Sequence, residues 1–269
     1  MAVNTQESPQ LTFKVTSSPE MPKVFVTSNK GGVGKTSIAV NLAVALHKLG
    51  KKVALFDLDM HGPNVAKMLG MEDQKIMVGE GDVLIPAKWK DGFQVVSLSF
   101  MLPSEDTPVI WRGPLKTKAF QQLLEETEWD ADVMVVDFPP GTGDEALNAV
   151  QKMKNVIGAI IVTTPQEVAL QDVYKVVTFL KETNVEVLGV VENMSYLKCP
   201  YCGSRIYLFG EGGGKKASSK FGVPLLAQVP FDPEALKMMD LGKSPVEELP
   251  ESEFTQNIMN IAKAVLERV

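Results

Sequence analysis

Cysteine and histidine are scarce in this chain, with two of each among 269 residues. Two cysteines, Cys199 and Cys202, cannot staple a protein of this length into a disulfide framework. Their C-x-x-C spacing serves metal or redox chemistry instead and fits a reducing compartment. Long apolar runs are lacking too. Stretches such as Val133 to Val136 and Ile157 to Val162 are far shorter than a bilayer crossing, and the polar N-terminus does not have the basic-then-apolar order of a signal peptide. Basic charge is outweighed, 27 Lys and Arg against 33 Asp and Glu for a net charge of -6, which gives no electrostatic reason to expect nucleic acid. The expectation is a cytoplasmic protein with no nucleic acid partner and no stable membrane association.

What is present is an ordinary globular composition, 45% hydrophobic and 22% charged. Residues 1–21 are rich in Ser, Thr, Pro and Gln without a sustained period and read as a flexible arm, leaving 22–269 as one domain. Short β-branched runs predict strands at Lys23 to Thr27, Val53 to Asp57, Gln94 to Leu98, Val133 to Asp137, Ile157 to Thr163, Val187 to Glu192 and Leu225 to Val229. Amphipathic stretches between them predict helices near 35–49, 114–127, 144–153, 168–183 and 233–241. That alternation implies an α/β fold, a doubly wound, mostly parallel sheet with helices on both faces. A final stripe, Phe254, Ile258, Ile261, Val265 and Leu266, has helical spacing. A membrane-surface helix would carry a strongly basic polar face, and only Lys263 and Arg268 are there, so the stripe is expected to pack on the core.

After the first predicted strand comes Ser28-Asn29-Lys30-Gly31-Gly32-Val33-Gly34-Lys35-Thr36, running into the apolar-periodic helix Ile38, Leu42, Ala45, Leu46, Leu49. Glycines let the backbone curl so that its N–H groups meet phosphate oxygens, the helix N-terminus adds partial positive charge, and Lys35 adds a full one. Thr36 offers a hydroxyl to magnesium. The pattern is a P-loop variant with Asn29 where Gly usually stands. Asn29, Lys30, Gly31, Gly32, Val33, Gly34, Lys35, Thr36 and Ser37 are the expected nucleotide-binding residues, for ATP. Asp57 and Asp59 follow the second strand, where ligands collect outside the carboxyl ends of parallel strands. Asp137 ends another strand and leads into Pro139-Pro140-Gly141-Thr142-Gly143, a turn suited to sensing a γ-phosphate. Thr36, Asp57, Asp59 and Asp137 are the expected oxygen donors around magnesium.

Cys199 and Cys202 sit in a Pro- and Gly-containing loop that can aim two sulfurs at one ion. A tetrahedral zinc or a four-iron cluster takes four ligands. The chain has no third cysteine, and a two-fold dimer would bring four thiolates together on its axis. By spacing alone, a bridging zinc and a bridging cluster carry similar weight. A redox dithiol fits less well, because that motif opens a helix and Ser204 to Phe209 reads as extended. His61 reads as a loop contact and His47 as a helix-surface residue.

At these residues the sequence resembles the Mrp/ApbC family of iron-sulfur carrier ATPases, within the deviant P-loop ATPases that include MinD and ParA. Further segments carry the resemblance: Trp111-Arg112-Gly113-Pro114, the Asp137-to-Asp144 turn, Glu192-Asn193-Met194-Ser195, Cys199-Pro200-Tyr201-Cys202-Gly203, Phe209-Gly210-Glu211-Gly212-Gly213-Gly214 and Gly222-Val223-Pro224-Leu225-Leu226. It implies a homodimeric ATPase, with slow hydrolysis coupled to cluster handling. The cysteine pair would bridge an iron-sulfur cluster of the 4Fe-4S type and pass it to apo recipient proteins. Lys30 resembles the signature lysine that reaches the partner's nucleotide, Asp59 the residue that positions the attacking water, and Asp57 a nearby acidic partner. Lys30, Lys35 and Asp59 are thus the implied catalytic residues. Asn193, Pro230 and Asp232 resemble the adenine-binding region. His61 and Asn64 stand where many members have Tyr and Ser. A MinD- or ParA-like spatial organiser is the rival expectation, and a zinc-bridged dimer is another.

Overall fold

The computed structural model describes residues 19–59, 64–101 and 113–269. The expected arm at 1–21 falls outside them except for Pro19, Glu20 and Met21. So do His61 and the Trp111-Arg112 pair. In chain order the elements are β1 (Lys23–Thr27), α1 (Lys35–Lys48), β2 (Val53–Asp57), α2 (Val65–Met68), β3 (Met77–Val78), β4 (Leu84–Ile85), β5 (Ala87–Lys90), β6 (Phe93–Ser97), α3 (Gly113–Glu125), β7 (Val133–Asp137) and α4 (Asp144–Lys152). They continue with β8 (Val156–Thr163), α5 (Ala169–Glu182), β9 (Val187–Glu192), β10 (Leu197–Lys198), β11 (Arg205–Ile206), α6 (Gly213–Phe221), β12 (Leu225–Gln228), α7 (Pro233–Asp240), α8 (Pro245–Glu248) and α9 (Glu253–Leu266).

The main sheet runs β12-β9-β8-β1-β7-β2-β6-β5, with β5 antiparallel to β6 and its other neighbours parallel. All seven strands expected from the sequence are its parallel members, so the doubly wound α/β architecture holds. Two-face burial explains why these strands read as continuous apolar runs. Val24 and Val26 enter the core on one face while Phe25 enters the core on the other, as the strand period of two requires. Missing from the sequence reading are the edge strand β5, whose Ala-Lys-Trp-Lys carries charge on alternate positions, and α6, whose first two residues are glycines, poor helix formers.

Helix α1 is buried all round from Ile38 to Leu46, so its outer side needs a cover. α9 supplies it: Phe254, Ile258, Ile261 and Val265 are at most 4% exposed and share a core with Ile38, Leu42 and Leu46. Each such side chain contributes about 1.5–3 kcal/mol of gross burial energy, which settles the final stripe as core. Among the described residues no helix is long and apolar enough to cross a membrane.

At the opposite end of the sheet from the P-loop, Lys23 is fully buried. Its Nζ donates to the carbonyl oxygens of Met21 at 3.0 Å and Lys154 at 2.7 Å, and also to that of Pro19. One side chain thus anchors the segment before β1 to the chain entering β8. Lys23→Met would fill the space but strand three carbonyls. A loss of about 1–3 kcal/mol in urea-unfolding stability is expected, and an unchanged midpoint would show that water replaces the ammonium.

Candidate functional site

The carboxyl ends of the parallel strands carry a row of polar side chains. Asp57 on β2 lies in register with Asp137 on β7 and with Ser97 on β6, and Thr163 on β8 lies in register with Glu192 on β9. β1, between β7 and β8, delivers the loop 28–34 into this row. It does so where connections leave the sheet in opposite directions, which is where ligands bind in such folds.

Gly34 adopts a left-handed conformation, φ +83°, and a Cβ there would collide with Asn193 Nδ2. Only glycine lets the loop turn into α1 at this point. No side chain caps the first turn of α1, so its amide groups are free to meet an anion. Ser28 Oγ donates to the Lys30 carbonyl at 2.8 Å, and the Gly141 amide donates to the Ser28 carbonyl at 2.8 Å, tying the Pro139–Gly143 turn to the loop. Ser37 occupies the first turn of α1, where its carbonyl accepts from Asn41 Nδ2 at 2.8 Å.

The structure brings Lys35, Thr36, Asp59 and Asp137 together. Lys35 Nζ lies 2.6 Å from Asp137 Oδ1 and 3.7 Å from Asp59 Oδ2, and Thr36 Oγ1 donates to Asp137 Oδ2 at 2.6 Å. Asp57 accepts from Ser97 Oγ at 2.9 Å and from the Asp59 amide at 3.0 Å. Burial, with the Asp137 carboxylate nearby, pushes Asp57 up to about 8. Burial raises Asp137 as well, with Lys35 pulling the other way.

Lys30, largely exposed, pairs with Asp172 Oδ2 at 2.7 Å, and Asn29 Nδ2 donates to Asp172 Oδ1 at 2.7 Å. Nothing in the sequence singled out Asp172, an unremarkable acidic residue in the first turn of α5; only tertiary folding sets it against the loop. A cavity of about 310 Å³ opens beside this pair, with Gly31, Gly32, Val33, Thr164, Met194 and Phe209 on its walls.

Asn193 Nδ2 donates to the Val33 carbonyl at 2.9 Å. Pro230 is buried in the segment that follows β12, where the Ser195 amide donates to Val229 and the Phe231 amide to Tyr196. Asp232 has a structural occupation: its Oδ1 accepts from the amides of Glu234 and Ala235, capping α7.

The cysteines stand on a separate hairpin. β10 and β11 pair antiparallel, and Cys199 and Cys202 lie in the turn between them, with the Gly203 amide donating to Cys199 O at 2.9 Å. The motif therefore does not open a helix. Both thiols are free and Cys202 is exposed. Hydrogen bonding from Ser204, whose Oγ lies 3.0 Å from Cys202 Sγ, holds that thiol below its ordinary value. Glu253 of α9 steadies the stem, accepting from Tyr196 Oη at 2.8 Å and from Lys198 Nζ at 2.7 Å. His47 lies with Nδ1 3.2 Å from the Lys51 carbonyl and its ring edge-on to Phe93, far along α1 from the loop. Among the described residues no three His, Cys, Asp or Glu side chains form a ready-made metal site.

A family model described as ParA: NUBPL iron-transfer P-loop NTPase matches residues 21–266. The chain belongs to that family. An iron-sulfur cluster carrier protein of Methanocaldococcus jannaschii is 43% identical, over 92% of this chain and 84% of its own length. One from Pyrococcus horikoshii is 50% identical, over 82% and 77%. Among solved structures, a nucleotide-binding protein from Archaeoglobus fulgidus in complex with ADP superposes with a TM-score of 0.74 at 38% identity, covering 86% of this chain and 89% of its own. The cell division ATPase MinD of Pyrococcus furiosus superposes at 0.63 and 25% identity, covering 92% and 99%. The Mrp/ApbC resemblance and the P-loop fold both stand, and membership of this NTPase family places the protein among nucleotide hydrolases in general.

In the nucleotide-free protein, Asp57 binds its proton more tightly folded than unfolded. Its stabilising contribution is therefore complete below the ordinary value of 3.8 and is lost as pH rises to about 8. Asp57→Asn cannot titrate, so its urea-unfolding stability is expected to fall less than that of wild type between about pH 5 and pH 8. Parallel profiles for the two proteins would mean that Asp57 is ionised throughout.

Proposed function

We propose that the protein is a cytoplasmic, ATP-driven carrier that holds an iron-sulfur cluster between the Cys199/Cys202 hairpins of two copies and delivers it to apo recipient proteins. The observation that carries this reading is the pair of free thiols on a hairpin turn, Cys202 exposed and Cys199 half-buried, in a chain of the iron-transfer family with only two cysteines. Four thiolates are the usual complement of a 4Fe-4S cluster, and two copies supply them. The surface around the thiols suits such pairing: Tyr201, Ile206, Tyr207, Leu208 and Phe209 are all exposed apolar side chains, an unusual concentration for a monomer's surface.

At the other site ATP would lay its phosphates along Asn29–Ser37. Lys35 would exchange Asp137 for the phosphates, since an ammonium held by a carboxylate is the group a more highly charged anion can capture. Thr36 and Asp137 offer the hard oxygen donors that Mg²⁺ prefers, with phosphate oxygens and water completing its shell. When bound, the ion neutralises charge on the phosphates. Asp57, held by Ser97, fixes the turn that carries Asp59, and Asp59 would orient the attacking water. Lys30 would leave Asp172 to reach the partner's nucleotide, which makes hydrolysis slow in a lone copy and coupled to assembly. Asn193 and Pro230 would border the adenine, with Asp232 contributing through the backbone turn that it caps.

A spatial-organiser reading has less support. The α9 stripe that would have to meet a membrane is spent on α1, and the carrier relatives are 43–50% identical against 25% for MinD.

The test is anaerobic reconstitution of wild type and Cys199→Ser with iron and sulfide, read by absorbance, iron content and native mass. Wild type is expected to hold about four iron atoms per two chains and Cys199→Ser none, with ATP binding intact in both. A strictly monomeric wild type, a zinc-only product, or full iron retention by the variant would overturn the bridged-cluster reading.

A further inference from the structure

Glu192 ends β9 with a carboxylate that is 0% exposed. Such a group is costly to bury unless its oxygens are satisfied, and three neutral donors meet them. Ser195 Oγ and Gln228 Nε2 donate to Oε1 at 2.6 and 2.8 Å, and the Gly214 amide donates to Oε2 at 2.5 Å. The donors come from three segments. Ser195 lies on the arm that enters the cysteine hairpin, two residues before β10. Gly214 lies on the arm that leaves it, in the first turn of α6. Gln228 belongs to the adjoining strand β12. The contact on the leaving arm is close: a Cβ on Gly214 would stand 2.7 Å from Glu192 Cβ.

The residue after Glu192 faces the other site. Asn193 Nδ2 holds the Val33 carbonyl of the P-loop at 2.9 Å, and the Asn193 amide is fixed to Thr163 O at 2.8 Å. Met194 then takes a left-handed conformation, φ +55°, an uncommon one for a non-glycine residue, and so turns the chain at once into the hairpin arm. Within the four residues 192–195, the nucleotide loop and both ends of the thiol-bearing segment are thus fastened to one stiff strand end.

We infer that Glu192 is a positioning residue through which the state of the P-loop sets the orientation of the Cys199/Cys202 hairpin. The inference rests on the reading of these two sites as the nucleotide and thiol sites of a carrier. When phosphate oxygens fill the loop, Val33 is displaced against Asn193, and the end of β9 carries the displacement to both oxygens of Glu192. The hairpin arms answer together because one carboxylate holds both. A glutamine would fill the same volume but loses the charge-assisted hold: its one acceptor oxygen can keep the Gly214 amide, while its nitrogen meets Ser195 Oγ and Gln228 Nε2 as a donor, so the grip on the entering arm is weakened.

The experiment uses the reduced, cluster-free full chain and follows alkylation of Cys199 and Cys202 by iodoacetamide, resolved by peptide mass spectrometry, with and without Mg²⁺ and ATPγS. Wild-type rates are expected to differ by about fivefold or more between the two states, the size of an ordinary coupling between sites. In Glu192→Gln the two rates are expected to lie within about twofold of each other, with affinity for ATPγS unchanged. Ser195→Ala, which removes the carboxylate's bond to the entering arm alone, is expected to fall between them. A wild-type response retained in both variants would overturn the role of Glu192 while leaving nucleotide gating intact. Equal rates in wild type itself would overturn the gating, and this inference with it. Should Glu192→Gln fail to fold, Ser195→Ala decides alone, and a full response there overturns the link.

Discussion

Everything at the carboxyl end of this sheet is arranged around a single buried ammonium. Lys35, 6% exposed, has to carry its charge at the mouth of α1, and the Asp137 carboxylate at 2.6 Å makes that possible. The pair fixes the register of consequences. β7 must lie beside β1 so that Asp137 arrives under the loop, and Thr36 must follow Lys35 so that the second carboxylate oxygen is satisfied. A buried pair of this kind is not chiefly a source of stability, because the desolvation of both partners offsets much of their attraction. Its value is that it can be exchanged. In the proposed cycle an incoming polyphosphate would take the ammonium and leave Asp137 with oxygens that a hard cation could use.

Around that centre the strand ends divide the labour. β2 and β7 carry the acidic groups, and β9 carries the chain away toward the thiols. The link between the two is short because Asn193 and Glu192 are neighbours, so no long path through the core has to be invoked. Asp172 plays the corresponding part on the other flank, gathering both Asn29 and Lys30. The loop therefore meets solvent with its exposed lysine already committed to a neighbouring helix.

Much of this was legible in the sequence wherever local chemistry and tertiary role coincide. The seven parallel strands were readable because strands covered on both faces must be continuously apolar, and Gly34-Lys35-Thr36 because a phosphate cradle needs those residue types in that order. The fate of the final helix was readable from its lack of basic residues. Legibility failed where a role is created by folding. Asp172 is an ordinary acidic residue until α5 docks, Glu192 stands in a resembling segment without a role of its own until α6 docks, and the cap that Asp232 places on α7 comes in addition to its expected place near the adenine. Helix α6 was hidden by its glycines, two of which are needed because Pro165 and Glu192 press against them. Edge strand β5 was hidden by its lysines.

Those lysines have a consequence of their own. β5 runs against the direction of the other strands at one rim of the sheet, with Lys88 and Lys90 exposed on it. Charged side chains on a border strand discourage a second chain from zipping its backbone onto the open ladder. Growth of the sheet by strand addition is disfavoured at that rim, so any association between copies of this protein is steered toward surfaces other than β5.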